Sequence, residues 1–93
     1  MPKYVIERTI PGAAMLTRDE LQAISAKSVS VIDDLGCGVQ WVHSYVTDDQ
    51  ITCVYRATNE EIITEHGRCG GFPVDAVHVI SAVIDPTTAG LRP

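Results

Sequence analysis

A histidine at position 43 is the first residue of the sequence that could do chemistry. His43 lies between Trp41 and Tyr45 in the stretch QWVHSYV. Imidazole is the commonest metal ligand and the side chain that titrates closest to neutral pH. With a carboxylate such as that of Glu7, His43 could bind a divalent metal ion or act as an acid–base group. The alternative is a packed histidine whose ring nitrogens are satisfied by Glu7 or by a second chain.

A second candidate is His66, which lies three residues before Cys69 near the end of a predicted helix. Residues at this spacing share a helical face, so the two side chains could hold a borderline or soft metal together with another ligand. A zinc site needs about four ligands, however, and this pair supplies two. The negative end of the helix dipole also favours a histidine in this place. A structural role is therefore the favoured interpretation of His66.

The composition excludes several classes of protein. The net charge is −5 with seven Lys and Arg residues, which argues against a nucleic-acid partner. No apolar run approaches the length of a membrane span, and the N-terminus MPKYVIERT lacks a hydrophobic signal region. The three cysteines, an odd number without a CxxC pair, suggest reduced thiols and a cytoplasmic location. No nucleophile–base–orienter trio and no phosphate loop is present, so we predict no catalytic or organic-cofactor residues.

The order of elements predicts an α+β fold. Alternation predicts strands, and the capping boxes beginning at Thr17 and Thr58 predict helices. The predicted order is strand 3–10, helix 17–36, strands Val39–Val46 and Gln50–Ala57, a second helix from Thr58, and strand 74–84. This β-α-β-β-α-β order is the ferredoxin-like split βαβ sandwich, in which two helices cover one face of a four-stranded antiparallel sheet. We expect a single domain over residues 1–85 and, over residues 86–93, a C-terminal tail that lies on the surface as an extended or frayed end.

The other face of this sheet is predicted to be bare. A two-residue turn at Asp48–Asp49 pairs Val39–Val46 with Gln50–Ala57 and separates two sets of side chains. Val42, Ser44 and Val46 would face the helices, together with Ile6 and Ile10. The residues expected on the open face are Glu7, Trp41, His43, Tyr45, Thr52, Val54 and Arg56. Such an apolar, aromatic face predicts a homodimer. The alternation of the last strand fits either face, so it does not place His78.

Several stretches together resemble a known family. They are the paired strands, YVIER, Pro11–Gly12, NEEIITEHGRCGGFP and IDPTTA. They resemble a small bacterial family of ferredoxin-like, homodimeric nickel-binding proteins, long catalogued as a domain of unknown function. The resemblance extends over nearly the whole chain and is most specific from Trp41 through Glu61. It implies a dimer that binds nickel ions near its surface, for sequestration or homeostasis.

The resemblance also implies which residues bind the metal. Glu7 in VIER, His43 in WVHSYV and His66 in EHGRCGGFP fall within stretches similar to the family, whereas Cys69 and His78 depart from it. Divalent nickel accepts imidazole, carboxylate and water, and other divalent transition metals are chemically possible. The alternative function is a small dimeric ferredoxin-like enzyme or small-molecule binder, of isomerase or monooxygenase type, with His43 as the acid–base residue.

Overall fold

A four-stranded antiparallel sheet covered by two helices forms the body of the protein, in a computed structural model that describes residues 1–90. The elements are β1 (Lys3–Thr9), α1 (Arg18–Leu35), β2 (Val39–Val46), β3 (Gln50–Ala57), α2 (Glu60–Gly70) and β4 (Ala76–Val79). The strand order β2-β3-β1-β4 is that of the ferredoxin-like α+β fold and confirms the predicted class. Within residues 1–90, neither helix combines the length and apolar character needed to cross a bilayer.

The two helices begin at polar caps. The hydroxyl of Thr17 accepts a hydrogen bond from the Glu20 N–H at 3.1 Å, and the Glu20 carboxylate accepts one from the Thr17 N–H at 3.0 Å. This confirms the predicted capping box of α1. In α2 the predicted cap, Thr58, is wrong by one residue. The side chain of Asn59 accepts the capping hydrogen bond instead, at 3.0 Å, because asparagine caps helices at least as well as threonine.

The last strand is shorter than predicted. β4 ends at Val79, and residues 80–85 belong to no helix or strand. The ladder stops because its partner β1 begins at Lys3, whose carbonyl accepts the final hydrogen bond from the Ile80 N–H at 2.8 Å. Within the predicted tail, Pro86–Gly90 form an exposed 3₁₀ helix. Residues 91–93 of the predicted tail lie outside the described residues.

The core lies between the sheet and the helices. Its buried apolar side chains are Tyr4, Ile6, Ala13, Val39, Ile51, Cys53, Tyr55, Ala57 and Ile63. Alternate residues of β1 and β3 supply most of this set, because successive side chains of a strand point to opposite faces. The burial of Cys53 agrees with its prediction as a small core residue. Three polar residues are buried in the same layer, namely Arg8, Ser28 and His66.

A β-bulge in β2 changes one half of the predicted register. Near the turn the prediction is correct, since His43 lies opposite Val54. Between Trp41 and His43 the bulge inserts Val42 as an extra residue, and Trp41 then lies opposite Tyr55 instead of Arg56. Trp41 therefore belongs to the helix-covered face, not to the open face. The predicted place of Val42 in the core is likewise wrong.

Candidate metal centre

The three predicted metal ligands do not meet in the folded chain. Glu7 and His43 lie on the open face of the sheet. His66 instead projects from α2 into the layer between the helices and the sheet, and none of its surface is exposed. Glu7 is in β1 and His43 in β2, with β3 between them. Two strand spacings separate their backbones by about 10 Å or more. One metal ion cannot be held by all three side chains of a single chain.

The open face does contain a carboxylate–imidazole pair. Nε2 of His78 lies 3.1 Å from Oε2 of Glu7, and the other carboxylate oxygen accepts a hydrogen bond from Nε2 of Gln50 at 3.4 Å. The antiparallel pairing of β1 with β4 places His78 opposite Val5, and therefore diagonally across from Glu7 on the same face. Both side chains of the pair are substantially exposed. Nitrogen and oxygen donors that are close together and open to solvent are suited to a divalent transition metal.

The prediction from sequence missed His78. The last predicted strand has apolar residues at both odd and even positions, so the sequence does not show which of its side chains face the helices. The pairing with β1 decides the orientation, and this pairing is a long-range contact between residues more than seventy positions apart. The signal available in the sequence was the presence of one histidine in that strand and one carboxylate in the first.

His43 lies on the same open face as His78, at the opposite end of one row of side chains that crosses the sheet. Across the sheet the row runs His43, Val54, Val5, His78, so three strand spacings of about 14 Å in total separate the two histidines. The ring of His43 packs edge-on against Tyr45, with 5.0 Å between centroids. In residues 1–90 no three His, Cys, Asp or Glu side chains converge on one point. A single chain therefore offers the two donors of Glu7 and His78.

His66 is a buried residue of the core. Its Nε2 lies 3.1 Å from the hydroxyl of Ser28, and its ring lies between those of Tyr55 and Phe72, with centroids 5.2 and 5.5 Å away. Burial, and to a lesser extent the charge of Arg8, lower the pKa of His66, while a hydrogen bond with Ser28 acts in the opposite direction. The imidazole is therefore held neutral inside the protein.

Cys69 does not lie beside His66 in a shared site. The prediction that the two share a face of α2 is wrong, since His66 points inward and Cys69 is exposed. The thiol donates to the Glu65 carboxylate at 3.4 Å. Desolvation and this carboxylate raise the pKa of Cys69, whereas hydrogen bonds from Arg68 and Cys69 lower the pKa of Glu65 to about 2. A protonated thiol is a poor metal ligand, because metals bind the thiolate.

The comparisons with known proteins agree with this architecture. Residues 4–80 match a family described as nickel responsive protein, SCO4226-like. The chain belongs to this family. The SCO4226-like fold is also seen in the crystal structure of SCO4226 from Streptomyces coelicolor A3(2), with a TM-score of 0.75 over 88% of this chain and 99% of that one. The two sequences are 15% identical, so the likeness establishes the fold. No curated protein matches the chain.

Proposed function

We propose that this SCO4226-like protein is a cytoplasmic homodimer that binds nickel for sequestration or homeostasis. The observation that carries the proposal is the Glu7–His78 pair, an imidazole and a carboxylate 3.1 Å apart on the uncovered sheet face. Membership of a nickel responsive family supports the choice of metal. The three cysteines are free, which supports a reducing compartment.

Glu7 and His78 form the proposed centre in place of the set Glu7, His43 and His66. Gln50 donates a hydrogen bond to the Glu7 carboxylate and holds it beside the imidazole, so both side chains can be donors to one ion. His43 lies on the same open face but about 14 Å from His78, so it remains a proposed ligand only for an ion shared with a second chain. His66 is not retained, because it is buried on the opposite side of the sheet and its ring is already bonded to Ser28.

A second chain would complete the coordination. Tetragonal N and O sites that suit divalent nickel have four or more positions, and one chain contributes two protein donors at the pair. An exposed apolar segment, defined here as residues 79–84, directly follows His78. Val79, Val83 and Ile84 are 60%, 70% and 78% exposed, and β4 is an edge strand. Exposed apolar edges mark association surfaces. Dimer contact through this segment would bring donors from two chains close together.

Nickel retention tests the proposed centre. Protein equilibrated with nickel and then washed should retain metal, measured by elemental mass spectrometry. Glu7→Gln and His78→Ala should each reduce affinity by about tenfold or more, as expected for loss of a ligand or its supporting carboxylate. Glu61→Gln is the matched control, because Glu61 is exposed on α2 away from the pair. A wild-type protein that retains no nickel would contradict the proposal. Full retention of nickel by both variants would show that the metal does not bind at Glu7 and His78. His43→Ala tests the remaining ligand.

Sedimentation tests the dimer separately. The wild type should sediment as a dimer, and Val83→Asp combined with Ile84→Asp should convert it to a monomer, because the charges oppose burial of the segment. Val29→Asp is the control, since Val29 is an exposed apolar residue on α1. A monomeric wild type, or a double variant that remains dimeric, would show that the apolar segment is not the interface.

A further inference from the structure

Strand β1 carries a buried cation on its helix-facing side. Arg8 is only 3% exposed. Its Nη1 donates to the carbonyl of Pro73 at 2.7 Å and its Nε to the sulfur of Cys53 at 3.4 Å, while Nη2 has no hydrogen-bond partner. An arginine side chain carries its positive charge on a planar guanidinium with five N–H donors. Arg8 is thus a permanent charge with one donor left unused.

Within residues 1–90 no carboxylate forms an ion pair with Arg8. The ion pairs there are Arg68–Glu65 and His78–Glu7, and Asp75 interacts with the charge of Arg8 only weakly and at longer range. The guanidinium lies over the rings of Tyr55 and Phe72, 5.9 and 5.6 Å from their centroids. Such cation–π contacts stabilise a buried charge much less than its burial costs. Buried charges in proteins are normally paired, so Arg8 is a cation suited to pairing with an anionic ligand.

A cavity adjoins the guanidinium. It lies between α1 and the sheet, opens to solvent, and gives the centres of water molecules about 70 Å³, which is room for roughly five waters. Arg8 lines it together with Leu21 and Ile24 from α1 and Trp41 and Ile51 from the sheet. Trp41 belongs to this wall because the β-bulge turns it toward the helices. The cavity therefore combines an apolar wall with one cation and has room for one small organic ligand.

We propose that this cavity binds a small organic monocarboxylate. Its carboxylate pairs with Arg8, and its aliphatic or aromatic body contacts the apolar wall. The planar guanidinium matches a carboxylate in shape and charge. A single cation among apolar side chains favours a monoanion with a hydrocarbon body over inorganic phosphate, which carries more charge and requires more donors. Nickel would bind on the other face of the sheet, so the two sites are independent.

Titration with benzoate, benzamide and inorganic phosphate tests the proposal. Benzoate and benzamide have nearly the same shape, but only benzoate carries the charge. Wild-type protein should bind benzoate at least about tenfold more tightly than benzamide, as expected for a charge-assisted pair. Arg8→Met should abolish this preference while preserving much of the side-chain volume. Arg56→Met is the matched control, because Arg56 is exposed on the open face and its loss should leave the preference unchanged.

A direct signal comes from Trp41, the single tryptophan of the chain. Benzoate in the cavity should change its fluorescence, so the wild-type comparison of benzoate with benzamide is decisive even if Arg8→Met does not fold. Equal affinities for the two compounds, no binding of benzoate at millimolar concentration, or tighter binding of phosphate would each overturn the proposal. A folded Arg8→Met protein that retained the preference for benzoate would overturn it as well.

Discussion

Replacing Gly67 with alanine is expected to lower the free energy of unfolding by up to about 2 kcal/mol. Gly67 is buried in α2 where the chain folds back against the helix. A Cβ at this position would lie 2.6 Å from Cγ2 of Val74 and 3.2 Å from the carbonyl oxygen of Phe72. The hydrogen bond from the Phe72 N–H to the Gly67 carbonyl, at 2.8 Å, holds this backbone close. The gain in helix propensity, at most about 1 kcal/mol, is smaller than the overpacking cost.

Urea denaturation followed by circular dichroism measures this effect. Gly90→Ala is the matched control, since a Cβ there meets no atom within 4 Å and the backbone has no positive φ. The control should unfold like the wild type. A Gly67→Ala protein as stable as the control would show that Val74 moves aside at little cost, and that the close approach does not limit this position.

Acidification from about pH 7 to about pH 5 is expected to destabilise the protein through His66, by at most about 2 kcal/mol. Its pKa in the folded protein is lowered from 6.5, first by burial and then by the charge of Arg8. Below about pH 6.5 the unfolded chain binds a proton at this residue that the folded chain excludes. The stabilising contribution is therefore complete above that pH and is lost as the pH falls toward the folded pKa, with a limiting slope of about 1.4 kcal/mol per pH unit.

The pH dependence can be assigned by substitution. His66→Gln should remove most of the slope between about pH 6.5 and pH 5, and the control His43→Gln should keep it because His43 is exposed. Carboxylates whose pKa is lowered in the fold lose their contributions only below their unfolded values of 4.5 or 3.8, which separates them from this window. They are Glu20, Glu65, Asp75 and Asp85. An unchanged slope in His66→Gln would show that another group is responsible.

Local rules account for the parts of the fold that could be predicted. The capping box of Thr17 and Glu20 involves neighbours in sequence, and the two-residue turn at Asp48–Asp49 sets the register of the hairpin beside it. The bulge at Val42 is also local, but its location depends on which side chains the helices accept. Trp41 turns inward because it fills the wall beneath α1, and no alternation pattern contains that information.

The candidate sites could be predicted where they follow from strand parity, that is, from the alternation of successive side chains between the two faces of a strand. Parity placed Glu7 and His43 on the open face. It could not place His78, whose orientation depends on pairing across most of the chain. Parity also turns Arg8 inward beside Ile6, and a charged residue at a core-facing position is a signal that the sequence contains and that the prediction did not use. The inward direction of His66 depends on packing of α2 against the sheet and α1, which is a tertiary effect.

Glu7 and Arg8 are consecutive residues with opposite charges on opposite faces of β1. A slip of this strand by one position would exchange their environments, because every side chain then changes face. The carboxylate would enter an apolar layer, at a cost of several kcal/mol, and Ile6 would be driven into water. Because Arg8 would leave this layer as Glu7 entered it, the two changes in buried charge partly offset each other. The exposure of Ile6 and Tyr4 to water then supplies most of the penalty on a misaligned β1. The alternation of apolar and polar residues in β1 therefore selects one register during folding, independently of any ligand that either face binds.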